Sequence, residues 1–89
     1  MSYEDEAEDT VQALCLRVVA EPDAGALARV LSHFQILNAV PRRVVAEFSS
    51  SGVQYIRVDV IGMREDHLSV IAAKLYQAPC VQGAYWHRL

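Results

Sequence analysis

Apolar and polar residues alternate from Val11 to Val19, with Leu14, Leu16 and Val18 on one side and Cys15, Arg17 and Val19 on the other. A period of two predicts a strand. Glu21-Pro22-Asp23 breaks the alternation, and Asp23 is placed to cap a helix by accepting a hydrogen bond from the free amides of its first turn. Leu27, Val30, Leu31, Phe34 and Leu37 then recur at helical spacing and make one apolar stripe. Asn38, which tolerates left-handed dihedrals, and Pro41, which cannot continue a helix, predict where it stops.

Past Pro41 the alternation resumes. Val44, Ala46 and Phe48 are set against Arg43, Val45 and Glu47, and in a run from Val53 to Ile61 the residues Ile56, Val58 and Val60 are set against Tyr55, Arg57 and Asp59. These runs predict two strands, and Ser49-Ser50-Ser51-Gly52 between them is short and flexible enough to close a hairpin. Leu68, Ile71, Ala72 and Leu75 form a second helical stripe, with Glu65 and Asp66 near its start to complement the helix dipole and Ala78-Pro79 to end it. Val81 to His87 predicts a fourth strand, weakened by Gly83, whose inward parity the pattern leaves open.

Two β-α-β units joined through a hairpin make an α+β fold, the ferredoxin-like βαββαβ plait: a four-stranded antiparallel sheet with both helices on one face. The strand residues Leu14 to Val18, Val44 to Phe48 and Ile56 to Val60 of inward parity, with the two helical stripes, supply one core. With the helices on one side only, Cys15, Val19, Val45, Val53 and Tyr55 are expected to project from an uncovered, half-apolar sheet surface, which invites a partner. A homodimer is the expectation, covering this face or the exposed strand edges.

Eighty-nine residues are one domain, with room for a core but not for a deep catalytic cleft beside it. Charge changes the picture only at the start of the chain, where Glu4, Asp5, Glu6, Glu8 and Asp9 concentrate acids in residues 1–10, read as a disordered acidic leader before a domain at 11–89. Without them the body has eight basic and six acidic residues, too even for a nucleic-acid footprint. Apolar runs are too short for a membrane helix and the acidic start is unlike a signal peptide, so the expected location is cytoplasmic. Cys15 and Cys80 are too few for a zinc motif and read as buried small hydrophobes.

The run Gly25-Ala26-Leu27-Ala28-Arg29-Val30, between the first strand and first helix, resembles the ACT domain, above all that of acetolactate synthase small subunits, which carry a similar Gly-Ala-Leu-x-Arg-Val. Two asparagine positions of those subunits are taken here by Pro22 and Val40. The resemblance implies a domain that dimerises, binds an amino-acid effector at Asp23, Ala24, Gly25, Ala26 and Leu27, and transmits occupancy to a large catalytic subunit. A glycine lets a ligand approach the backbone, and free amides at a helix start receive a carboxylate.

No other chemistry is legible. His33, His67 and His87 lie on different elements without a close partner, so no metal or cofactor is expected. There is no nucleophile-base pair, phosphate loop or carboxylate dyad, hence no catalytic residue is assigned. Tyr55 is the one aromatic placed for base stacking on the central strands, which argues against RNA binding. The expectation is a non-enzymatic regulatory or assembly subunit, which the resemblance assigns to an acetolactate synthase-like enzyme, and its rival is a stand-alone protein-interaction domain of the same fold without an effector.

Overall fold

A computed structural model describes residues 12–89. The elements are β1 (Ala13–Ala20), α1 (Ala24–Ile36), β2 (Arg43–Phe48), β3 (Gln54–Ile61), α2 (Glu65–Tyr76) and β4 (Val81–Arg88). The strands form one antiparallel sheet in the order β2-β3-β1-β4, which is the ferredoxin-like plait. The leader assigned to residues 1–10 lies outside the described residues.

Local chemistry explains the element ends. Asp23 has extended dihedrals and its Oδ1 accepts from the Gly25 amide at 2.8 Å, the cap that opens α1. Asn38 takes a φ of 56° just past the helix, so the chain can turn toward β2. Gly52 at φ 90° closes the hairpin, where Ser49 both donates to Val53 and accepts from Gly52 through its backbone. Arg64 occupies the cap position of α2 without accepting a hydrogen bond from a backbone amide through its side chain, leaving Glu65 and Asp66 to complement the dipole.

The core lies between the helices and the central strands. Leu14, Leu16 and Val18 of β1 and Ile56, Val58 and Val60 of β3 pack with Ala26, Val30 and Phe34 of α1 and Leu68, Ile71, Ala72 and Leu75 of α2. Pairing with β1 settles the parity of β4: Ala84 and Trp86 stand opposite Val18 and Leu16 and pack against the core. Arg88, of the same parity, reaches the first turn of α2 and pairs with Glu65.

Three expectations are corrected. Val44, Ala46 and Phe48 have the inward parity but remain exposed, Phe48 by 72%, because α1 buries its stripe over the central strands and leaves the edge strand uncovered. Leu37 is likewise 43% exposed, beyond the last core residue of α1, Phe34. The strand containing Tyr55 begins at Gln54, so Val53 belongs to the hairpin loop and not to the sheet face.

Candidate functional site

The turn from β1 into α1 is exposed at Asp23, Ala24 and Gly25, while Ala26 is in the core and Leu27 packs partly against it. Two amides of the first turn are engaged: Gly25 donates to Asp23 Oδ1, and Ala26 to the Asp23 carbonyl at 3.0 Å. Nothing crowds Gly25. A Cβ built there meets only Asp23 Oδ1, at 3.4 Å, and no atom of the sheet, so relief of helix-sheet crowding does not explain the glycine. In a helix a glycine costs about 0.5–1 kcal/mol relative to alanine. Space above the backbone at a helix start is what a small carboxylate ligand needs.

The uncovered sheet face differs from its expectation in depth, at Cys15. Strand register brings its residues into three rows: Glu47, Tyr55, Val19, Gly83; then Val45, Arg57, Arg17, Tyr85; then Arg43, Asp59, Cys15, His87. The two central strands carry Arg17, Arg57 and Asp59 here, the polar part of the half-apolar surface expected. Cys15 does not project: it is completely buried between its cross-strand partners Asp59 and His87. Burial, followed by the hydrogen bond and charge of Asp59, pushes its thiol above the usual range. Val19 and Val45 are half-buried and Tyr55 is exposed, so these three stand on the open face as expected.

Asp59 is the one charged residue buried among the described residues. Arg57 Nε and Nη2 donate to its two carboxylate oxygens at 2.9 and 3.2 Å, and this fork holds the carboxyl below its ordinary pKa. Next to it, Arg17 Nε donates to His87 Nε2 at 3.2 Å, while His87 Nδ1 lies 3.0 Å from the Arg88 carbonyl. Both contacts are satisfied together by the tautomer protonated on Nδ1.

Two further features were not legible in the sequence. A groove of about 440 Å3 runs between α1 and β2, lined by Leu31, Phe34, Val40, Pro41 and Val44. His33 and His67, far apart in the chain, border one small apolar cleft between the helices with Lys74; burial, then Lys74 and Arg29, lowers the His33 pKa. No cluster of three or more possible metal ligands occurs among the described residues, and no helix among them is long and apolar enough to cross a membrane.

The strand order and helix placement recur in solved structures of several kinds of protein. The C-terminal domain of the MgtC protein from Mycobacterium tuberculosis superposes with a TM-score of 0.76 at 16% identity, over 91% of this chain and 90% of that one. The ACT domain of GTP pyrophosphokinase from Chlorobium tepidum gives 0.64 at 21% identity, over 90% of this chain and all of that one. An acylphosphatase from Coxiella burnetii gives 0.60 at 13% identity, over 92% of this chain and 84% of that one. These likenesses establish the fold. No family model and no curated protein matches the sequence.

Proposed function

We propose that the chain is an ACT-type regulatory or assembly domain that takes a free amino acid at the β1-α1 turn, works as a homodimer, and supports a separate catalytic subunit of the acetolactate synthase kind. The observation that carries this reading is the unforced glycine: Gly25 stays in the first turn of α1 although a Cβ would fit. Ligand approach accounts for the cost. The carboxylate of the amino acid would meet the helix start, and Asp23, exposed beside it, would meet the ammonium group.

The flank of the molecule supports the dimer reading. β2 is an outer strand whose outward backbone groups have no strand neighbour among the described residues, and the same flank exposes Val40, Val44 and Phe48 beside the α1 groove. An exposed apolar edge strand is a template for another strand, and a second copy in antiparallel register satisfies both edges at once.

A thermal-shift screen of the twenty amino acids tests the effector, because a ligand selective for the folded state raises the melting temperature. One or a few amino acids are expected to do so in the native protein and to lose the effect in Gly25→Ala. A flat screen overturns effector binding and favours the stand-alone interaction domain, for which the bare β2 flank is the supporting observation.

A further inference from the structure

Arg43, Arg57 and Arg17 reach the open face from three successive strands, β2, β3 and β1. Arg57 and Arg17 stand directly opposite each other on the central pair, an arrangement that destabilises a sheet unless something compensates it. The core does not require charge there, since both side chains point away from it. Each guanidinium is also held in place. Arg57 is forked onto the buried Asp59, leaving its second terminal nitrogen without a partner among the described residues, and Arg17 is tethered through Nε to His87, leaving both of its terminal nitrogens without one among the same residues.

Asp59 balances Arg57, whereas Arg17 and Arg43 have no ion-pair partner among the described residues. All three border a shallow hollow of about 430 Å3 whose walls include Val45, Tyr55 and Tyr85. Glu47 borders it too, on the row of Tyr55, one row from Arg17 and two from Arg43. Guanidinium forks match the oxygens of phosphate and carboxylate, and two unbalanced guanidiniums match a doubly charged group better than a single carboxylate.

We propose that this arginine row is a second ligand site, on the side of the sheet away from the helices, for a phosphate monoester carried on a small apolar or aromatic group. The phosphate sits against Arg17, Arg43 and the second terminal nitrogen of Arg57. The organic part lies along Val45 and the tyrosines. This site is separate from the β1-α1 turn and does not depend on the amino-acid reading.

Phenyl phosphate titrated into the isotope-labelled full chain at constant ionic strength tests it by NMR. Saturable shifts are expected at the Arg17 and Arg57 side-chain Nε-Hε signals and at the Val45 and Tyr85 amides. Arg17→Gln should weaken binding roughly tenfold, the value of a hydrogen bond to a charged group, without lowering the melting temperature, because Arg17 is exposed, has no ion-pair partner among the described residues and faces the like charge of Arg57. Shifts reproduced by sodium chloride, benzoate binding as tightly as phenyl phosphate, or shifts confined to the β1-α1 turn would each overturn the proposal. Tighter binding of an oligothymidylate at equal phosphate concentration would overturn it as well, by giving the face to single-stranded nucleic acid.

Discussion

The buried Asp59 stands on the open side of the sheet, not among the apolar residues that face the helices, and its burial depends on a neighbour. Arg57 donates to both of its carboxylate oxygens, and the carboxyl is held below the ordinary carboxylate range. A depressed acid stabilises the folded chain while it is ionised, so its contribution is complete above the unfolded pKa and disappears as pH falls through the folded one. Asp59→Asn should therefore lower the urea midpoint at pH 7, and the gap from the native protein should close below about pH 4. A gap that stays constant from pH 7 to pH 2.5 would show that the pair does not couple to folding. Cys15, next to this carboxylate, is fully buried with its thiol pKa raised, whereas Cys80 is partly exposed. One thiol per chain should label rapidly at pH 8, and mass spectrometry should place it on Cys80. The sequence anticipated the first of these thiols as a small hydrophobe. It did not show that the residue would be sealed on the charged side of the sheet, because that follows from register with Asp59 and His87, far away in the chain.

The two helices begin differently, and that difference has consequences for stability. α1 is capped by Asp23 through the Gly25 amide, so Asp23→Ala should cost about 1 kcal/mol. α2 begins at Arg64, whose side chain offers the first turn no acceptor and makes an exposed ion pair with Asp66. Exposed pairs of that kind contribute little. Arg64→Ser should then stabilise the protein by about 0.5–1 kcal/mol, read from chemical denaturation, since a serine hydroxyl can accept from an orphan amide. Asp23, Asn38 and Gly52 were all legible as punctuation, because capping and positive φ depend on residue type and near neighbours alone. The parity of β4 was not. Gly83 interrupts its alternation, and the structure shows why a glycine is there: the Tyr85 ring lies over it, with the hydroxyl oxygen 2.5 Å from where a Cβ would stand. An aromatic side chain covering a strand glycine restores packing that the glycine itself cannot provide.

At the scale of the molecule, alternation assigns a residue to a side of the sheet but does not say how far the opposing layer extends. Leu14 to Val18 and Ile56 to Val60 fulfil the inward pattern because they lie in the two central strands, under both helices. Val44, Ala46 and Phe48 follow the same pattern on an outer strand, and their exposure measures where the helical layer ends. An apolar series that obeys core periodicity without a cover among the described residues is a surface suited to burial by another chain. Phe48 gives the sharpest test, being 72% exposed in the single chain. Phe48→Glu removes little packing from one protomer, so its unfolding measured where the protein is monomeric should be nearly unchanged. In a β2-to-β2 pair the same substitution puts a carboxylate at the contact from each protomer and opposes association. Sedimentation at tens of micromolar should accordingly give a dimer for the native chain and a monomer for Phe48→Glu. A native chain that sediments as a monomer, or a variant that remains dimeric, would remove β2 as the assembly edge. Because a small fold gains stability from each surface it buries, the native chain should also melt at a temperature that rises with its concentration, and the variant should not.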